Sequence, residues 1–245
     1  MDFSVRHKIK KLKSNYKERK SKAYTAIALS TVLILAISAA VSSQMQKNQV
    51  LGTSEEDKQT KEDPNTFQMA MRDLWVDHVV YTRLYIVSFA NSLNDTSLIA
   101  NRLLKNQEEI GNAIKPFYGD AAGDKLTSLL KQHIVAAVDV LKAAKAGNTT
   151  ALKLANATWY QNADDIATFL SNANPKYFHK NDLMMMLDNH LKLTTDEAVA
   201  RLSGNYPEDI ASFDKVRMQA NLMADMLSEG IMKQFPNKFV AQASI

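Results

Sequence analysis

The chain has 245 residues, enough for one or two domains with a substantial hydrophobic core. Its 7 Gly and 5 Pro are few for that length, while Ala, Leu, Met and Lys abound, which favours helices over a turn-rich β fold. Cysteine is absent, which excludes disulfides, thiolate zinc sites, cysteine nucleophiles and a lipid-modified cysteine.

The net charge of +4 is unevenly spread. Before Ala23, nine Lys or Arg face only Asp2 and Glu18, so this tail carries +7 and the remainder of the chain −3. Such a tail points to anionic lipid headgroups rather than nucleic acid, because of the segment that follows it. From Ala23 to Gln46 the chain reads AYTAIALSTVLILAISAAVSSQMQ, without a charge between Lys22 and Lys47. At about 1.5 Å rise per residue this run can cross a hydrocarbon layer roughly 30 Å thick, and its hydroxyl groups can bond back to their own helix.

Residues 23–44 are therefore read as a single transmembrane helix, and the basic flank 1–22 as cytoplasmic, which sends the rest of the chain outside a plasma membrane. A secretory signal is the alternative reading: Ser38-Ala39-Ala40 offers a small-x-small site, and cleavage after Ala40 would secrete the domain. Residues 45–65 are polar, charged and lack aromatics, the composition of a flexible tether.

Beyond the tether, apolar residues recur at three- and four-residue spacing, which predicts helices over 66–93, 96–115, 120–146, 148–173, 180–203 and 206–234. Breaks are expected at Asn94-Asp95, Pro116, Gly147-Asn148, Asn174-Pro175 and Gly204 to Pro207, with Asp95 or Thr96, Asn148 or Thr149, and Asn181 as caps. Short links between long helices imply an all-α antiparallel bundle of about six helices over 66–239, with 240–245 as a tail.

The predicted helices also echo one another in pairs. The odd ones carry a large apolar residue, two intervening positions, a histidine and an aliphatic: Trp75 to His78-Val79, Leu130 to His133-Ile134, Leu187 to His190-Leu191. The even ones match as Asn106 to Gly111 against Asn162 to Ala167, with Leu222 to Leu227 as a weaker third copy. Each even helix is followed by a proline and then an aromatic. This pattern suggests three degenerate helical hairpins.

The histidines sit on the apolar stripes, and Glu109, Asp165 and Asp225 follow them by thirty-one to thirty-five residues. Histidine and carboxylate on facing helices are what metal-binding bundles use, so His78, His133, His190, Glu109 and Asp165 are the candidate ligands for a transition metal. The competing reading makes each histidine a satisfied core residue, and the Glu-x-x-His motif of di-iron bundles is missing. Asp77, Thr82 and Arg83, with Arg102 and Lys115 nearby in sequence, form a polar cluster read as ion pairs that fix helix order. Asp214 and Arg217, at i,i+3, are read the same way. The methionines, Met184-Met185-Met186 among them, are read as adaptable core filler.

No nucleophile elbow, phosphate-binding glycine loop, HExxH or dinucleotide fingerprint occurs, so no enzymatic activity is indicated and no cofactor is required. From Leu74 to Phe239 the stretches LWVDHVVYTRLYI, LLKNQEEIGNAIKPFYG, LLKQHI, WYQNADDIATFLSNANP and MADMLSEGIMKQFPNKF resemble an uncharacterised family of bacterial helical-bundle proteins. The resemblance implies a fold more than a chemistry. Relatives often carry histidines in the stretch written here FDKVRMQANLMAD, where this chain has Arg217 and Gln219, a departure that weakens a metal site carried over from them. The expectation is a membrane-anchored envelope protein whose exported bundle binds a protein or small-ligand partner; a metal- or cofactor-binding bundle is the alternative.

Overall fold

The structure is a computed structural model that describes residues 61–240. The membrane segment 23–44, the basic tail, the cleavage site after Ala40 and nearly all of the tether lie outside the described residues. Among the described residues no helix is long and apolar enough to cross a membrane. The described residues belong to one compact unit.

Six helices follow in order: α1 (Pro64–Ala90), α2 (Thr96–Tyr118), α3 (Asp120–Lys145), α4 (Thr149–Ala173), α5 (Lys180–Leu202) and α6 (Tyr206–Gln234), then a 3₁₀ turn at Pro236–Lys238. Each helix packs on its sequence neighbours and α6 closes back onto α1. The odd helices form an inner layer in which α5 also touches α1 and α3. Three helical hairpins, α1–α2, α3–α4 and α5–α6, therefore surround a common core.

Burial repeats with the hairpins. Met71, Trp75, His78, Val79 and Ile86 on α1 are matched by Leu126, Leu130, His133, Ile134 and Leu141 on α3, and by Leu183, Leu187, His190, Leu191 and Ala198 on α5, all of them buried. On the even helices the buried set Leu103, Asn106, Gln107, Ile110 and Gly111 is matched by Trp159, Asn162, Ala163, Ile166 and Ala167 and by Val216, Gln219, Ala220, Met223 and Ala224. The third copy thus begins at Gln219, three residues before the Leu222 expected from the string match. The correction follows from the side of α6 that faces the core: Leu222 is 64% exposed, whereas Gln219 is buried.

Several ends differ from the sequence expectation for local reasons. Pro116 does not break α2, which runs on to Tyr118: Phe117 stacks on Phe239 and packs against Phe67, and the Tyr118 hydroxyl bonds Gln234 at 2.6 Å. These contacts hold the last turn although proline removes one helical hydrogen bond. Helix α5 starts one residue before Asn181, with His179 at the cap position. Helix α1 starts at Pro64, capped by Asp63, whose carboxylate accepts from the Thr66 amide at 2.8 Å. The end of the expected tether is therefore ordered: Glu62 forms a parallel bridge with Phe239, its amide donating to the Lys238 carbonyl and its carbonyl accepting from Val240, both at 2.9 Å. Asn148 caps α4 through the Ala151 amide, as its side chain suggests.

Candidate functional site: a buried histidine layer between two cavities

Because the three histidines occupy the same repeat position, the inner helices bring them together at one level of the core. The ring centroids of His78 and His190 lie 5.6 Å apart, and those of His133 and His190 6.4 Å apart. All three are at least 96% buried.

The partner of each histidine is an amide, always twenty-nine residues further along. His133 Nδ1 lies 2.9 Å from Asn162 Oδ1, and the Asn162 amide group donates to the Leu129 carbonyl at 3.1 Å. His190 Nδ1 lies 2.9 Å from Gln219 Oε1, and the Gln219 amide group donates to the Met186 carbonyl at 3.1 Å. In both hairpins the bridged carbonyl belongs to the residue one turn before the histidine, so each amide is fixed by its N–H and presents oxygen to the ring. His133 and His190 therefore carry their proton on Nδ1.

The first hairpin departs from this pattern. Asn106 makes the equivalent bond to the Leu74 carbonyl at 3.0 Å, but its oxygen accepts from Gln107 Nε2, and that same nitrogen approaches His78 Nδ1 at 3.2 Å. That nitrogen also donates to the Leu103 carbonyl at 2.8 Å, so its two hydrogens go to Leu103 and Asn106, and its approach to His78 Nδ1 is not a third donated bond. Gln107 Oε1 has no hydrogen-bond partner among the described residues.

Burial pushes all three imidazoles below their ordinary range, His133 to about 3, with its neighbour His190 adding to the effect. For His78 the charges of His190 and His133 act in the same direction as burial, and for His190 burial alone dominates. The layer is thus electrically neutral at physiological pH. Trp159 adds a further restraint, its Nε1 donating to His133 Nε2 at 3.0 Å.

The carboxylates expected to face these rings lie elsewhere. Glu109 accepts from Arg102 at 3.0 Å on the partly exposed side of α2, Asp165 is exposed and takes a bond from Gln161, and Asp225 is held bidentate by Arg72 at 2.6 and 2.7 Å. The misplacement has a simple cause: the even helices turn their amides inward, and the acidic positions follow on the solvent side of the stripe. Among the described residues no group of three or more His, Asp or Glu could hold a metal ion. The metal-binding alternative, with His78, His133, His190, Glu109 and Asp165 as ligands, has no assembled ligand set there.

The polar cluster also divides. Asp77 pairs with Arg102 at 3.1 Å, with the guanidinium lying over Tyr81, while Lys115 pairs with Asp124 across α2 and α3. The Thr82 hydroxyl donates to the His78 carbonyl at 2.7 Å. Asp214 and Arg217 are both exposed and are not joined by an ion pair. Arg83 instead reaches two carboxylates the sequence did not single out, Glu197 and Asp209, each at 2.8 Å and each 1% exposed. Arg201 also bonds Asp209, at 3.3 Å. Burial pushes the Glu197 carboxyl up to about 7 against the pull of Arg83, and its Oε2 has no partner among the described residues.

Apolar space lies on both sides of the histidine layer. One turn towards the helix starts of the odd helices, Trp75, Leu130 and Leu187 line a cavity of about 30 Å³ without polar lining. One turn in the other direction, Thr82, Ala137 and Thr194, each four residues after a histidine, line a larger chamber of about 100 Å³. Its walls include Ile86, Leu141 and Ala198 and, from α4, Asn156 and Trp159. It lies beneath the α4–α5 seam, the sparsest of the six neighbour contacts in the ring.

Comparison of the chain with protein-family models, curated proteins and solved structures finds no match. The constant separation of twenty-nine residues between each histidine and its amide could have revealed Gln107, Asn162 and Gln219 from sequence. Nothing local marked Glu197, Asp209 or Trp159.

Proposed function

We propose that this protein is a non-enzymatic binding module, held at a plasma membrane by residues 23–44 with its helical bundle outside, and that the chamber above the histidine layer is its ligand site. The observation that carries this reading is the chamber itself: about 100 Å³ of apolar space within the core, larger than the cavity of about 30 Å³ on the other side of the histidine layer. A void of this size forfeits dispersion contacts on every wall, so a protein that keeps it gives up stability unless something fills it. The neutral histidine layer lies one helical turn from the lining residues Thr82, Ala137 and Thr194, and among the described residues it offers neither a charged catalytic base nor an assembled metal site. The uncharged run between Lys22 and Lys47 and its basic flank support the membrane placement. The string motifs support grouping the chain with the bacterial bundles it resembles.

Full-length protein extracted from its native membrane and heat-denatured should release a small compound that the Ala198→Leu variant, with its chamber filled, does not carry. Equal release from both would remove the chamber as the site. Digestion of the bundle by protease added to intact cells stripped of wall tests display; a bundle cut only after lysis would end the outward placement.

A further inference from the structure

We infer that the chamber's ligand is a compact, uncharged, mainly hydrocarbon molecule bearing one oxygen, a ketone or an alcohol, bound through the Thr194 hydroxyl. This rests on the chamber being the binding site. Three observations set the chemistry.

The first is size: an apolar cavity of 150 Å³ accepts benzene, with its six non-hydrogen atoms, so about 100 Å³ suits roughly four. The second is the walls, which contain no Asp, Glu, Lys or Arg, so an ionic ligand would be stripped of water without a counter-charge.

The third is Thr194. It is 6% exposed, and its Oγ1 has no hydrogen-bond partner among the described residues. The equivalent residue of the first hairpin, Thr82, donates its hydroxyl to the carbonyl of His78 four residues back. The second hairpin has Ala137, without a hydroxyl. Of the three matching positions, only Thr194 therefore keeps a free hydroxyl in the chamber lining, where a ligand oxygen could accept from it. A bare hydrocarbon, such as the end of a lipid chain, would leave that hydroxyl unpaired. Entry lies along the α4–α5 seam, where Val199, which is 56% exposed, and the partly exposed Asn156 belong to the lining.

The two tryptophans, Trp75 and Trp159, lie on opposite sides of the histidine layer and so report separately on the two cavities. Full-length protein carrying 5-fluorotryptophan, reconstituted in lipid nanodiscs, is titrated with acetone and with its hydrocarbon isostere isobutene while both ¹⁹F signals are followed, assigned with a Trp75→Phe variant. Acetone should move the Trp159 signal saturably and leave Trp75 in place. Thr194→Val should weaken acetone about tenfold without changing isobutene, Thr194→Ser should restore it, and Ala198→Leu should abolish both responses. Isobutene binding as tightly as acetone, or a Thr194→Val variant that binds the ketone unchanged, would overturn the ligand class and leave the chamber as a site. No Trp159 response to either probe would overturn both.

Discussion

Trp159 Nε1 donates to His133 Nε2 across 3.0 Å, so the imidazole is held neutral from both sides, with Asn162 accepting from its other nitrogen. A second proton on that ring would have to displace the indole N–H and sit uncompensated in the core.

Acid should therefore unfold this bundle through its histidines. Their folded pKa values are depressed, that of His133 to about 3 from 6.5. The stability they contribute is present above pH 6.5 and is lost as pH falls towards the folded value, by about 1.4 kcal/mol per pH unit for each ring. Urea unfolding at pH 7.5, 6.0 and 5.0 should show a falling midpoint, with a shallower fall in His133→Gln. A midpoint independent of pH over this range would contradict a neutral buried layer.

Glu197 works in the opposite direction. Its folded pKa is raised to about 7 from 4.5, so its contribution is full below pH 4.5 and is lost as pH rises through 7. Between pH 5 and pH 8 this single group removes roughly 2–3 kcal/mol. Glu197→Gln should keep that stability at pH 8, so the difference in melting temperature between variant and wild type should grow in the variant's favour from pH 5 to pH 8. A constant difference would mean that Glu197 is ionised in the folded state throughout.

The α2–α3 seam depends on Gly111 and Gly123. A Cβ on Gly123 would come within 2.6 Å of the Gly111 carbonyl, and one on Gly111 would collide with the Thr127 hydroxyl. The matching positions on α4 and α6 are Ala167 and Ala224, so glycine is demanded by this seam and not by the repeat. Gly111→Ala should destabilise by about 1–3 kcal/mol. Chemical denaturation that finds the variant as stable as wild type would mean the two helices can part at no cost.

Removing an amide from the histidine layer should cost more than removing a surface ion pair. Gln219→Leu leaves His190 Nδ1–H unpaired in the core and removes the second bond to the Met186 carbonyl, which keeps its helical one, a loss of about 1–3 kcal/mol. Arg72→Ala breaks a bidentate bond to Asp225, yet Arg72 is 47% exposed, and solvent screening should make the loss the smaller of the two. Reversal of this order in urea titrations would refute the assignment of the amides as the layer's supports.

The hairpin repeat was legible as far as apolar spacing carries it. Trp75, Leu130 and Leu187, each three residues before a histidine, identified the inward faces of the odd helices, because a helix's buried stripe is written in its own periodicity. On the even helices Asn106 and Asn162 were visible too. Gln219 was not, since a weak match at Leu222 outweighed it, and which side of α6 faces inward depends on its packing against α1 and α5.

The carboxylates show the same boundary. Glu109 and Asp165 stand at separations that could face an imidazole, but one residue's step around a helix turns a side chain by about 100° and sends it to solvent. Conversely, Glu197 and Asp209 lie far from Arg83 in sequence and meet it only because α5 and α6 pack beside α1.

The amino-acid sequence by itself determined the helices, their approximate ends, the inward position of three histidines and the uncharged run between Lys22 and Lys47, since these follow from local propensity and periodicity. Only the tertiary structure decided that the histidines meet one another, that amides and not carboxylates hold them, and that a chamber opens one turn beyond. Those outcomes depend on how closely each pair of helices approaches, as with the glycines of α2 and α3, and interhelical distance is a property of the assembled core that no single segment encodes.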